Sequence, residues 1–528
     1  VASMAKRLGA TFGQRPVPQS DEFELPDPRI SPPASLIDAF SSTPLDRLNH
    51  CGGKSFADCA RMWLREPPPP PDWVAFPADE QAIIDILDWA ESSNVAVVPY
   101  GGGSSVCGGV ETDVGDSYSG VVSLDMERMN SVLEVDALSR AARIQAGALG
   151  PELGTQLKQH QLTLRHFPQS FEFSTLGGWI VTRAGGHYAT QYTHIDDFVE
   201  STRVVTPSGI IQTRRLPGSG AGPAPDRLVI GSEGTLGVLT EAWVRVQVPP
   251  QFRASASIRF TDYYAAARCV RALAQSGLNP SNCRLLDVAE TVFAGVGDGR
   301  HSILVLAFES ADHPCDAWMR RALELVSDYG GEYDANAVAR SMSSDLGDEH
   351  RGGAAGAWRN AFLRMPYWRD PLVGQGIILD TFETAITWDR FEDFYDEIKA
   401  DIAVAVKQAT GQNVLLSCRM THAYPDGVAP YFTFATRAAD GSVSGALAAW
   451  WDFKRAANEA VVSHGGTITH HHAVGRDHRS GYDREVDPLF RQILAAAKQV
   501  VDPRCVLNPG VLFQPANRSL GKTGVLSI

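Results

Sequence analysis

Hydrophobic positions recur at helical spacing over residues 79–93, where Ile83, Ile84, Leu87 and Trp89 fall mostly on one side, and then close up into the apolar run Val95–Val98. The first pattern predicts an amphipathic helix and the second a buried strand. Strands are expected at Gly120–Leu124, Ser131–Val135 and Ala142–Ala146, and a helix at Pro151–His160. A hairpin is expected where Arg203–Thr206 and Ile210–Thr213 flank Pro207-Ser208-Gly209. Leu228–Ile230 reads as a further strand-like run, and Trp243–Val248 closes the region before Pro249-Pro250. Beyond it, helical stretches (Tyr263–Gln275, Ala317–Asp328, Phe391–Thr410) alternate with strand-like runs (Ile303–Phe308, Ile377–Thr381, Tyr431–Ala435). The tail carries a helix at Pro488–Val501 and the short apolar segment Val506–Phe513. Strands mixed with short helices, without strict βαβ alternation, predict an α+β fold rather than a doubly wound one.

At 528 residues the chain is too long for one core. Glu66 is followed by five prolines, 67–71, a semi-rigid extended segment. The expected divisions are an N-terminal extension over 1–66, a domain over 67–248, a second over 249–455 and a C-terminal segment over 456–528 that completes the site. The balance of 47 basic and 61 acidic residues, a net −14, argues against nucleic acid, which needs a basic face. Eight scattered cysteines without a CxxC pair fit reduced thiols in a cytoplasm. No apolar run approaches a membrane span, and the N-terminus lacks the apolar core of a signal peptide.

Two small-residue loops change this picture. Pro99-Tyr100-Gly101-Gly102-Gly103-Ser104-Ser105 follows the first buried run, and Gly231-Ser232-Glu233-Gly234-Thr235-Leu236-Gly237-Val238 follows Leu228–Ile230. Successive backbone N–H groups in such turns make a concavity for an anion. With a third run at Ser174–Gly178, they suggest a large phosphate-bearing cofactor held by backbone.

Taken in order, Gly101–Ser105, Ser174–Trp179 and Gly231–Val238 resemble the FAD-binding domain of vanillyl-alcohol-oxidase-type flavoproteins over roughly residues 72–248. The resemblance implies a two-subdomain PCMH-type FAD-binding domain and an α+β cap domain with an antiparallel sheet. It places Gly101, Gly102, Gly103, Ser104 and Ser105 on the pyrophosphate. Pro99, Pro168, Ser170, Ser174, Thr175, Gly177 and Gly178 would line the cofactor, with Glu233, Gly234, Gly237 and Val238 close to it. Glu233 also fits a carboxylate that stabilises its turn. FAD is expected to be non-covalent, since the first loop has no histidine and Cys107 is the only linking residue near it.

Beyond that domain the chain resembles the alkyldihydroxyacetonephosphate synthases. The resemblance rests on Cys283–Asp287, Tyr367–Asp370, Asp380–Thr384 with Trp388–Arg390, Cys418–Thr421 with Pro430–Phe432, and Gly465–Gly475, which holds His470, His471 and His472. It implies exchange of the acyl chain of acyl-dihydroxyacetonephosphate for a fatty alcohol, with flavin N5 as nucleophile and no net redox change. Equivalents of Arg419, Tyr431 and the triple histidine carry that activity in the family. A phosphate favours a planar, bidentate cation, so Arg284 and Arg419 are its candidate holders. Proton removal and return need an acid–base pair, for which Tyr431 and a histidine of 470–472 qualify.

Plainer readings stand beside these. Arg284 and Arg419 also fit structural ion pairs, and Tyr431 fits a core aromatic within Tyr-Phe-Thr-Phe. Neighbouring side chains point apart, so three successive histidines cannot all face one site, and the run has no metal partner at a usual spacing. The chain departs from the family at Gln169, at Ala473 in place of Gly, at Arg476-Asp477-His478, and over 185–190, which lack paired lysines. The alternative is an FAD-dependent oxidase or dehydrogenase of a hydroxy acid or alcohol, against which the His-Gly-Asp-Gly-Asn metal motif is absent. Expected partners are a lipid phosphate, a long-chain alcohol and a second copy of the chain as a homodimer. Peripheral contact with a membrane is left open.

Overall fold

Asp79 accepts the Ala82 N–H at 2.9 Å and so starts the helix Glu80–Ser93. Asn94 ends it in the left-handed region at φ 57° and turns the chain directly into the strand Val95–Tyr100. This is a computed structural model that describes residues 8, 13, 15–192, 194–342 and 366–513. The chain divides into two compact units. The first comprises Pro16–Gly185, His194–Gln247 and His471–Ile528, and the second Val1–Arg15, Gly186–Thr193 and Val248–His470.

In the first unit, Val95–Tyr100 and Trp73–Ala75 each pair in parallel with Gly120–Asp125, and Phe40–Ser41 adds an antiparallel edge. The tail returns to this sheet: Val97 N–H donates to Val506 O at 2.8 Å, and Asn508 N–H to Val97 O at 2.8 Å. The five-stranded antiparallel sheet runs Val132–Asp136, Ala141–Gln145, Val238–Arg245, Val199–Thr206, Gly209–Gln212. The proline run lies inside the unit, with Pro69 O accepting from Thr112 and Pro71 O from Arg47. Leu228–Ile230 is not a strand. Asp226–Val229 is a short helix after Pro225, with Leu228 exposed and only Val229 and Ile230 buried, too few apolar positions for a ladder.

The second unit is built on an eight-stranded sheet whose resolved pairings are antiparallel. Its order is Glu332–Tyr333, Phe252–Phe260, Ser302–Ser310, Asn282–Leu286, Leu415–Ala423, Gly427–Arg437, Ile377–Glu383, with Ile386–Thr387 also on Gly427–Arg437. Helices Phe391–Thr410 and Val443–Ser463 pack on it. Phe382 stacks on Phe432 at 4.8 Å, and Phe434 meets Phe453 at 3.8 Å. Among the described residues no helix is long and apolar enough to cross a membrane.

Candidate active site

Three small-residue segments of the first unit pack against one another. A Cβ on Gly101 would overlap Thr175 Oγ1, and one on Gly102 would overlap the Phe173 carbonyl oxygen. Gly103 needs its φ of +62°. Thr175 Oγ1 accepts Gly178 N–H at 3.2 Å and caps the helix Leu176–Thr182, and a Cβ on Gly177 would lie 2.7 Å from that of Ala146. Gly234, at φ +71°, packs on Pro99, and Gly237 on Val204. Pro168, Ser170 and Ser174 form the turn beneath, where Ser174 Oγ takes the Trp179 indole N–H at 2.6 Å. Val238 opens its strand and is buried in the sheet core.

The glycines therefore allow close packing. Ser105 Oγ accepts Gly109 N–H at 3.0 Å, but among the described residues the N–H groups of Gly102, Gly103, Ser104 and Ser105 donate to no protein acceptor. Four consecutive backbone donors of this kind suit a pyrophosphate.

Glu233 is buried at φ 51°. Its carboxylate accepts the N–H groups of Val474 at 2.9 Å and Gly475 at 2.8 Å, and burial pushes its pKa up to about 7. Asn508 Nδ2 donates to Glu233 O at 2.7 Å and to Gly109 O at 3.1 Å. Glu233 thus fixes the segment just past the histidine run to the second glycine loop. Cys107 Sγ donates to His472 O at 3.0 Å, and the His471 and His472 rings lie 4.8 Å apart. Ala473 sits at φ +73°, a strained conformation for a residue with a Cβ.

The second unit collects a different set. Adjacent strands place Leu286 opposite Arg419, Arg419 opposite Tyr431, and Tyr431 opposite Glu383. Directly opposed residues share a face, and so do residues two apart on one strand. Arg284, Arg419, Tyr431, Thr381 and Glu383 therefore stand on one polar face, while Cys418, Phe432, Phe434 and Phe382 point to the apolar one. The Arg419 guanidinium lies 3.9 Å over the Tyr431 ring, and the Tyr431 hydroxyl donates to Thr381 Oγ1 at 3.0 Å. Burial raises the phenol pKa against the opposing pull of Arg419, so Tyr431 holds its proton at neutral pH.

Arg419 pairs with Glu290 at 2.9 Å, both side chains 0% exposed, and Ser417 Oγ donates to the other Glu290 oxygen at 2.5 Å. Arg284 donates to Thr421 O at 3.2 Å and meets His187 Nδ1 at 3.0 Å. Burial, with repulsion from Arg419, pulls the Arg284 pKa down to about 9. Since a guanidinium only donates, His187 Nδ1 is the acceptor and Nε2 carries the proton. Asn282, 3.0 Å from Nε2, then presents its carbonyl oxygen there. His470 belongs to this unit: its N–H donates to both Glu383 oxygens, at 3.0 and 2.8 Å.

Sequence reasoning did not name Glu290, and it met Glu383, His187 and Tyr424 only as members of the segments 380–384, 185–190 and 421–424, without a role for any of them. Glu290 had a local signal. Asp287 accepts its N–H at 2.7 Å in the capping pattern that opens the helix Val288–Phe293.

Residues 71–214 match the FAD-binding domain family, and residues 249–512 match the C-terminal domain family of FAD-linked oxidases. The chain is 30% identical over 479 residues to alkyldihydroxyacetonephosphate synthase of Trypanosoma brucei brucei, covering 88% of this chain and 77% of that protein. The chain belongs to the alkyldihydroxyacetonephosphate synthase family. The member from Dictyostelium discoideum is 29% identical over 499 residues, covering 90% of this chain and 79% of that one. A solved alkyldihydroxyacetonephosphate synthase structure superposes with a TM-score of 0.76 at 25% identity, covering 94% of this chain and 88% of the other. FAD is the cofactor, and a PCMH-type FAD-binding domain with a cap domain is the fold.

Proposed function

We propose that this chain exchanges the acyl chain of acyl-dihydroxyacetonephosphate for a fatty alcohol, giving an ether lipid and a free fatty acid without net redox change. The carrying observation is the shared polar face of Arg284, Arg419 and Tyr431. A period of two puts Tyr431 opposite the phenylalanines, so it is a polar-face residue rather than a core aromatic. The two guanidiniums are the cations for the substrate phosphate. The glycine loops would hold FAD, which would supply a nucleophilic nitrogen for the dihydroxyacetonephosphate carbon. The bond from that carbon to the carboxylate oxygen breaks and a bond to the alcohol oxygen forms. Tyr431, protonated at neutral pH, donates toward the departing carboxylate, and the histidine run 470–472 takes the alcohol proton.

The glycine segments 99–105, 168–178 and 233–238 are the proposed FAD cradle, and the flavin is non-covalent. Acid precipitation is expected to leave the yellow colour in the supernatant, and a yellow pellet contradicts this. The same reading carries a homodimer, a cytoplasmic location and peripheral contact with a membrane. The exposed Leu489, Phe490, Ile493 and Val500 on the helix Pro488–Val501 support an apolar contact surface.

The test is to incubate labelled long-chain alcohol with acyl-dihydroxyacetonephosphate and holoenzyme, without oxygen or an electron acceptor, and then extract lipid after alkali. Ethers survive alkali and esters do not. Label in the stable fraction is expected, reduced by about 10²-fold in Tyr431→Phe, the range for a general acid–base group. No label, with peroxide formed from a small alcohol or hydroxy acid, would replace this reading by the oxidoreductase one.

A further inference from the structure

His470 makes two contacts on the same unit that the proposed reaction does not use. Its Nε2 lies 2.8 Å from the Tyr424 hydroxyl, and its Nδ1 lies 4.0 Å from Glu383 Oε2. Glu383 is held in place: besides the His470 N–H it accepts the Thr469 hydroxyl at 2.5 Å, and its side chain is 1% exposed. Tyr424 is equally fixed. Its N–H donates to Gly427 O at 2.8 Å, and its carbonyl accepts the Trp388 indole N–H at 2.8 Å. Gly427 has no room for a side chain, since a Cβ there would overlap Ile386 O. Carboxylate, imidazole and phenol thus stand in a row on rigid supports.

We propose that Tyr424 is the proton partner of His470, so that Glu383, His470 and Tyr424 form a relay holding a proton at the start of the histidine run. This rests on the reading that the run serves the reaction. A phenol can donate to a neutral Nε2 and can accept from a protonated one, so the contact survives both states of the ring. Glu383 faces Nδ1 in both states and favours the imidazolium. When the ring takes up the proton that leaves the alcohol, the Tyr424 hydroxyl turns from donor to acceptor toward Nε2, and when the ring gives that proton up the hydroxyl turns back. Only protons move. Among the described residues of this unit the other titratable group facing His470 is His422, its ring 5.1 Å away and its Nε2 committed to Gly186 O at 3.0 Å. His471 follows in the chain. Tyr424 is a positioning residue that acts through His470.

The test follows the His470 ring directly, in holoenzyme carrying ¹³C-labelled histidine, with the signal assigned by its loss in His470→Gln. Tyr424→Phe removes the contact from both states of the ring, but the bond from the charged ring is charge-assisted and the stronger of the two, so the titration midpoint is expected to fall by about one pH unit. Replacing Tyr424 by 3-fluorotyrosine keeps the shape and weakens the acceptor, and a smaller fall is expected. In the lipid assay Tyr424→Phe should lower kcat about tenfold with KM unchanged. A midpoint unchanged in the fluorotyrosine protein and in a folded, flavin-loaded Tyr424→Phe overturns the relay. A shifted midpoint in a protein that makes no base-stable lipid leaves the relay standing and removes the ether-forming reading instead.

Discussion

Replacing Arg419 with methionine is expected to destabilise the eight-stranded unit by about 3–5 kcal/mol, because it leaves Glu290 as an uncompensated charge in a fully buried position. Among the described residues Ser417 Oγ would remain its one side-chain donor. The double variant Arg419→Met/Glu290→Gln removes both charges and should recover much of the loss, since an ion pair replaced as a whole is often near neutral. Hydrogen exchange over 415–437 reads the effect where it arises. Protection falling by less than about tenfold in the single variant, roughly 1.4 kcal/mol, would show that Glu290 finds another partner or a proton. Arg419→Lys separates stability from binding. The point charge keeps Glu290 company but loses the planar stack on Tyr431 and the second prong for a phosphate. Apparent affinity for the phosphate substrate should drop about tenfold at unchanged flavin content. Unchanged affinity removes Arg419 from substrate binding and leaves it the Glu290 partner.

That pairing shows where sequence reading stops. Arg419 and Glu290 are 129 positions apart, and no periodicity links them. The long helices were legible because each carries its own punctuation. Asp262 caps Tyr263–Gln275, Asp487 caps Pro488–Val501, and Gly411 at φ 67° ends Phe391–Thr410. Three apolar residues at 228–230 carried no such marks, and the local preference went to a short helix. In the site, residue types with evident chemistry stood out: the glycine loops, the two arginines and the histidines. Their supports did not. Glu383 acts on a backbone N–H group, which leaves no trace in residue identity, Glu233 was named without its partners Val474 and Gly475, and Tyr424 meets His470 from 46 residues away. The period of two in Tyr431-Phe432-Thr433-Phe434 was visible in the chain. Only the register with Arg419 and Glu383 told which face was polar.

Gly102→Ala is expected to have the larger effect on cofactor binding, lowering FAD affinity by about 100-fold or more. The new Cβ would overlap the Phe173 carbonyl oxygen and lie 2.7 Å from its carbon and 2.9 Å from Ser174 Cα. All three are backbone atoms, so no side-chain rotation relieves the clash. The loop 101–105 must lift off the 173–175 segment, and its four N–H groups shift with it. Each factor of ten in affinity is about 1.4 kcal/mol, so a 100-fold loss amounts to one or two charge-assisted hydrogen bonds, at about 1.5–3 kcal/mol each. Gly220→Ala is the matched control, since a Cβ there meets nothing within 4 Å. Flavin content on purification and the quenching of FAD fluorescence on titration measure both variants, and the thermal melt of the apoprotein separates lost binding from lost fold. Stoichiometric flavin at wild-type affinity in Gly102→Ala would mean that the loop can shift as a body without redirecting its amides, and the cradle would then have to be sought at the 233–238 loop instead.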